Sequence, residues 1–303
     1  MKISVKNNKT KRIFGKQIVP WLLICPLIIV LYLAVWRPTV IGAFWSFFKM
    51  NAYNPGRFVG LENYKLVISN SQFFLILCNT MMYVFWSLVI GFIPPLAIAI
   101  MINEMVHLKS QMRVVMYLPA VIPGIAAMLI WARMYDPSSS GLLNMLLARF
   151  GIDAFGWLDN PKFTIIGIVL YMTWSGFAGT MLLYYATVQG ISSELYEAAL
   201  IDGAGPLRRC WHVTLPQMSG ILLLNLVRQI IGVFQVMEQP LAMTDGGPNG
   251  ASASLSYQLY LYGFKSSGQR TGQAMALGVI IFLILLVLTC FYFWLNRKVE
   301  NNF

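Results

Sequence analysis

Six stretches of the chain stay apolar for long enough to cross a hydrocarbon layer of roughly 30 Å, a distance that takes about 20 helical residues. They cover residues 19–36, 73–102, 114–134, 164–188, 220–243 and 275–295. Between them the pattern turns polar and carries turn chemistry: Asn54-Pro-Gly, Asp136-Pro-Ser-Ser-Ser-Gly and Asp245-Gly-Gly-Pro-Asn-Gly mark three compact connecting segments. Ile93-Pro94-Pro95 and Pro119-Ala-Val-Ile-Pro123 place prolines inside apolar runs. Packed membrane helices tolerate this and soluble ones resist it, so kinks are expected there. The pattern predicts an all-α membrane protein of six transmembrane helices, with a short tail over 1–18 and a single membrane domain over 19–303.

Composition agrees. Hydrophobic residues make up 58% of 303 positions and charged residues 11%, against about a quarter charged in an ordinary soluble domain. The first run could be a signal peptide, but it is long and has no small-residue cleavage site ahead of Arg37, so an uncleaved span is expected. Cys25, Cys78, Cys210 and Cys290 are scattered, and His107 and His212 stand far apart, which suggests neither a disulfide framework nor a metal site.

The net charge of +11 raises the question of nucleic acid, yet the basic residues gather at the ends of apolar runs. With the amino terminus in the cytoplasm, Lys2, Lys6, Lys9, Lys11, Arg12, Lys16, Lys109, Arg113, Arg208, Arg209, Arg297 and Lys298 fall on the same side. That side then has about double the Lys/Arg density of the other, as the positive-inside rule requires. Both termini are expected in the cytoplasm, and no nucleic-acid partner is.

The loop 190–218 joins the fourth and fifth spans and reads as two short helices. Ser193 is a candidate N-cap, Glu194 and Glu197 suit the positive end of a helix dipole, and Gly203 supplies a stop. Pro206 suits the first position of a second helix. Leu195, Ala198, Ala199 and Asp202 share one face of the first, and the small side chains would let another surface approach. A solvated connector resting on the bilayer is the alternative.

The fifth span is polar for its setting, with Asn225, Arg228, Gln229, Gln235, Glu238 and Gln239 among apolar neighbours. A central arginine costs roughly 2.5–3.5 kcal/mol on insertion scales, so such groups face protein or water. At helical spacing Gln229, Gly232, Val233 and Val236 form one face, and Arg228, Gln235 and Gln239 a neighbouring stripe. For Arg228 an interhelical pair is expected in preference to a ligand contact, or snorkelling to the cytoplasmic boundary.

Here the chain resembles the permease subunits of binding-protein-dependent ABC importers. Their hallmark loop reads Glu-Ala-Ala, three residues, Gly, nine residues, Ile, any residue, Leu-Pro. Glu197, Ala198, Ala199, Gly203, Leu215 and Pro216 fit at that spacing, with Val213 in place of the isoleucine. Phe58-Val-Gly-Leu-Glu-Asn-Tyr64, Asn79-Thr80, Leu118-Pro-Ala-Val-Ile-Pro123, Gly141-Leu-Leu-Asn144 and Thr244-Asp-Gly-Gly-Pro248 are similar to sugar permeases of the MalF/UgpA type. The resemblance implies a type I ABC importer (MetI-like) permease fold in a bacterial cytoplasmic membrane.

It further implies that the loop is a coupling helix seated in a groove of a cytoplasmic ATPase, with Glu197, Ala198, Ala199, Asp202, Gly203, Leu215 and Pro216 at the contact. Partners would be a second permease subunit, two ATPase subunits and an extracellular or periplasmic solute-binding protein. Ser175, Gly176, Gly179, Gln229, Gly232, Val233 and Val236 match the family's substrate pathway, and Trp174 and Phe177 could offer ring faces to a sugar, an oligosaccharide by default. The competing reading of the glycines is close helix crossing.

No phosphate-binding Gly-x-x-x-x-Gly-Lys-Ser/Thr occurs in the sequence, so ATP and Mg are expected on the partner ATPases and no cofactor on this chain. A self-sufficient secondary carrier or channel is the alternative function. Carriers often bury paired carboxylates, and Glu238 is the only acidic residue inside the six runs. An intramembrane enzyme would need a nucleophile with a positioned base or a ligand cluster, and no catalytic residues of that kind group together.

Overall fold

The computed structural model describes residues 20–105, 107–266 and 268–300. The expected basic tail 1–18 lies outside the described residues, as do the side chains of Arg297 and Lys298. In chain order the elements are α1 (Pro20–Trp45), a hairpin of β1 (Phe48–Asn51) and β2 (Asn54–Phe58), α2 (Glu62–Ile68), α3 (Phe73–Glu104), α4 (Lys109–Val121), α5 (Gly124–Met134) and α6 (Leu142–Ala148). Then follow α7 (Thr164–Gln189), α8 (Ser193–Ile201), α9 (Pro206–Gln217), α10 (Ser219–Phe234), α11 (Glu238–Met243), α12 (Leu255–Tyr260) and α13 (Thr271–Glu300). Helices α1, α3, α7 and α13 are each long and apolar enough to span, and with each bent pair, α4–α5 and α9–α10, counted as one span the total is six.

Prolines decide where these helices widen or break. A proline has no N–H to donate, and its ring displaces the carbonyl four residues back. In α1 a π-helical turn at Tyr32–Trp36 comes just ahead of Pro38, and in α3 another at Ser87–Phe92 comes just ahead of Pro94 and Pro95. A third, Cys210–Thr214, precedes Pro216 in α9. The wider turn accommodates the ring without ending the helix.

Two expected spans are not single helices. The third, expected over 114–134, is broken by 92° between α4 and α5. Ile122 is extended there, at ψ 128°, because the residue before Pro123 avoids helical geometry. The fifth, expected over 220–243, is α10 and α11 with a break at residues 235–237. Pro240 rejects the carbonyl of Val236, which instead accepts the Ser254 hydroxyl, while the Phe234 carbonyl accepts Ser256 Oγ at 2.7 Å. The break also interrupts the expected stripe of Arg228, Gln235 and Gln239.

Three buried clusters hold the bundle. One joins α5, α7 and the segment after α6 through Trp131, Tyr135, Trp157, Tyr171 and Trp174. A second surrounds Phe234, Leu255, Tyr257 and Leu277, and a third packs Ile102, Met181, Tyr184 and Met218. By contrast, none of the most apolar stretch of α1 is buried, as expected of a helix facing lipid or another subunit.

Contacts between loops sort the two ends. Glu104, the last residue of α3, pairs with Arg209 of α9, whereas Asn70, ahead of α3, donates to the Tyr262 hydroxyl beyond α12. Loops after the second and fourth spans share one end, and loops after the first and fifth share the other. This is the arrangement the charge pattern demands.

Candidate functional site

A cavity of about 330 Å³ opens midway along the bundle between α3, α7 and α10, at the small end of the range for small-molecule sites. From α10 it takes Asn225, Arg228, Gln229, Gly232 and Val233. Helix α7 contributes Met172, Thr173, Gly176, Phe177 and Thr180, and α3 contributes Ser87 and Gly91 from its π turn.

Hydrogen bonds hold the polar lining in place. Gln229 Nε2 donates to the Ser87 carbonyl at 2.7 Å and lies 2.8 Å from Ser87 Oγ. Glycine at 91 leaves room for the amide in this position, since a Cβ there would stand 2.6 Å from Gln229 Nε2 and 3.3 Å from Thr173 Oγ1. Asn225 is buried and donates to the Tyr184 hydroxyl at 2.6 Å. The surface therefore combines preset amide and hydroxyl groups with the ring of Phe177, a combination suited to a ligand with hydroxyls and apolar faces.

Of the residues expected on the pathway, Gly176, Gln229, Gly232 and Val233 line this cavity. Gly179 is exposed one turn along α7, and Ser175 is half-buried outside the lining. Val236 lies in the core beyond the end of α10, because the Pro240 break turns the chain inward. A Cβ added at Gly176, Gly179 or Gly232 would meet nothing within 4 Å, so within this chain these glycines open space and do not serve close helix crossing. Trp174 belongs to the aromatic cluster, 5.5 Å from Trp131, which leaves Phe177 as the ring at the cavity.

Among the described residues the interhelical pair expected for Arg228 is not formed. Its side chain is exposed, and it has no ion pair or hydrogen bond among the described residues. Ser87, Gly91, Thr173 and Thr180 were not singled out from the sequence. Thr173, Gly176, Phe177 and Thr180 do recur at helical spacing, the one signal that could have grouped them.

At the charge-defined cytoplasmic end, the loop helix α8 is capped at both termini. The N-cap is Ser192, not the expected Ser193: its hydroxyl accepts from Glu194 N at 3.3 Å. At the other end Gly203 takes φ +70°, with Ala204 N donating to Ala199 O at 2.8 Å and Gly203 N to Leu200 O at 3.0 Å. This Schellman arrangement needs a residue free to adopt a left-handed backbone.

Glu197, Ala198, Asp202, Gly203 and Pro216 are exposed, Ala199 and Leu215 half-buried. Around them Ile201, Leu207 and Trp211 are 87%, 79% and 68% exposed, an apolar patch that a loop in water alone has no reason to keep. The patch is held to α3 by Arg209–Glu104 at 2.9 Å, and Tyr196–Thr214 at 3.0 Å ties α8 to α9.

The polar motifs of the opposite end work as clamps. Asn79 donates to the carbonyls of Gly250 and Ala253 at 2.8 and 3.1 Å, Tyr83 to Ser252, and Thr80 Oγ1 accepts from Leu255 N. Gly246, at φ +81°, lies under the Tyr257 ring, where a Cβ would come within 2.7 Å of Cε1. Tyr257 donates to Asp245 Oδ1 at 3.1 Å, and burial, with that carboxylate beside it, pushes its hydroxyl up to about 12. Asn144 and Asn63 fasten their loops in the same way, Asn63 to the carbonyls of Ser46 and Phe48.

A broken-helix bundle with a polar mid-depth cavity and an exposed, capped loop helix at one end defines a membrane transport component. The chain belongs to the family of binding-protein-dependent transport system inner membrane components, which it matches over residues 16–301. It is accordingly a multi-pass protein of the cytoplasmic membrane. It is similar to the probable ABC transporter permease protein YurN of Bacillus subtilis, 31% identical with 90% of this chain and 94% of that one covered. It is also 31% identical to the trehalose/maltose transport system permease protein MalF of Thermococcus litoralis, over 96% of this chain and 98% of that one. Among solved structures, a chain of a bacterial alginate ABC transporter in complex with an alginate pentasaccharide-bound periplasmic protein shares the fold. Its TM-score is 0.83 at 23% identity, with 95% of this chain and 97% of that chain covered.

Proposed function

We propose that this chain is one of two permease subunits of an ATP-driven importer that carries a sugar, an oligosaccharide by default, across the cytoplasmic membrane by alternating access. The observation that carries this reading is the cavity itself: Ser87, Thr173, Asn225 and Gln229 with the Phe177 ring, opened by glycines of α7 and α10. Hydroxyl-rich ligands with apolar ring faces match that surface. The relatives' names, a trehalose/maltose permease among them, support the same substrate class.

The chain itself is the pore-forming part. ATP and Mg bind two separate ATPase subunits, and Glu197, Ala198, Ala199, Asp202, Gly203, Leu215 and Pro216 meet one of them. A second permease subunit completes the pathway, and a solute-binding protein delivers the sugar at the opposite end. Closure of the ATPases moves α8 and, through Arg209–Glu104, the inner end of α3. That gives the pathway two states biased by nucleotide, as any such coupling must have.

The test is recovery of the tagged chain in mild detergent with ATPase assays on what comes with it. Recovery of a second permease and an ATPase, with hydrolysis stimulated by sugar-loaded binding protein, is the expected result. A lone chain that transports in liposomes without ATP would replace this reading with a secondary carrier.

A further inference from the structure

Arg228 stands near the middle of α10, about 13 Å along the helix from Ser219 at a rise of roughly 1.5 Å per residue. Among the described residues it is the only charged one lining the cavity. A guanidinium at such a depth is rarely left without a partner. Two half-buried arginines at the cytoplasmic end each have one: Arg113 lies over the Tyr185 ring at 5.2 Å, and Arg209 pairs with Glu104. Arg228 has neither a ring nor a carboxylate among the described residues.

Its helix face explains what it is open to. Asn225 lies three residues before it and Gly232 four after, so all three share one side of α10. Asn225 is turned toward Tyr184, and beside Gly232 there is open space. Gln229, next in sequence, already donates to Ser87, so the charged donors at this edge of the cavity belong to the guanidinium.

We infer that Arg228 reads an anionic group on the transported molecule, and that the cargo is an acidic saccharide or sugar phosphate, not a neutral sugar. The inference rests on the importer reading above and sharpens its substrate class. A planar guanidinium offers parallel N–H donors that match a carboxylate or a phosphate in bidentate fashion, a geometry neutral hydroxyls do not need. The remaining lining meets the hydroxyls and ring faces common to any sugar.

The test uses the complex recovered through the tagged chain, in nanodiscs without binding protein, and three probes: trigalacturonate, glycerol 3-phosphate and maltotriose. Equilibrium binding at low ionic strength is expected to favour at least one anion over maltotriose by tenfold or more, and the stronger one tells carboxylate from phosphate. Arg228→Gln is expected to collapse the preference, and Arg228→Lys to keep part of it. Equal binding of all three probes, or a preference that survives Arg228→Gln, would overturn the assignment. So would loss of the second permease from the Arg228→Gln preparation, since the arginine would then be a subunit-pairing residue. Failure of the importer reading is seen separately, as a wild-type chain recovered without permease or ATPase partners. The same binding comparison on that lone chain still decides the role of Arg228.

Discussion

Gln229 and Ser87, 142 residues apart, are joined by an amide that reaches the Ser87 carbonyl at 2.7 Å and approaches its hydroxyl at 2.8 Å across the floor of the cavity. The contact exists because Pro94 and Pro95 force a π turn at Ser87–Phe92, and glycine at 91 leaves room for it. Helix distortion thereby becomes part of a binding surface.

Gly91→Ala follows directly. Alanine gains about 1 kcal/mol of helix propensity over glycine. The new Cβ, 2.6 Å from Gln229 Nε2, displaces an amide whose lost hydrogen bonds cost about 1–3 kcal/mol each when left unsatisfied. The amide ends a flexible side chain and can turn into the cavity, so the two effects on stability roughly offset and reduced uptake is the expected outcome. Normal uptake would show that the contact does not matter.

Gly232→Leu probes space, not packing. Nothing lies within 4 Å of a Cβ at this position, so the chain should insert and assemble normally while sugar passage falls or changes selectivity. Loss of the second permease on purification would mean instead that Gly232 faces that subunit.

Glu197→Lys reverses the charge on the exposed face of α8 while leaving its caps at Ser192 and Gly203 intact. Abolished uptake with normal membrane insertion is the expected outcome in a transport assay. Wild-type uptake would remove Glu197 from the coupling contact.

Asn79→Ala deletes two hydrogen bonds to the carbonyls of Gly250 and Ala253 in a buried setting. A loss of about 1–3 kcal/mol is expected, together with faster proteolysis in the loop between α11 and α12. If cleavage rates match wild type, the clamp is dispensable.

Much of this was legible in one dimension. Apolar length alone predicts spans, because every backbone polar group in hydrocarbon must be bonded within its own helix. Charge placement predicts which loops share an end, and Gly203 and Pro206 mark the limits of the loop helices because their backbone constraints are local. The Ser192 cap differs from the expected Ser193 by one residue, since two adjacent serines offer the same chemistry and helix packing chooses between them.

Breaks and partners were another matter. Pro123 and Pro240 announce trouble in their helices, but a 92° bend at one and a serine-bridged interruption at the other depend on what waits nearby for the freed carbonyls. Likewise the periodicity of α10 puts Gln229, Gly232, Val233 and Val236 on one face, yet the chain turns before Val236 and buries it. The sequence by itself determined the membrane class, the number of spans and the residue types at mid-depth, because these follow from local solvation and backbone preference. Only the tertiary structure decided that Ser87 meets Gln229, that the glycines open space, and that Arg228 faces the cavity unpaired, because each depends on helices far apart in the chain coming to lie side by side.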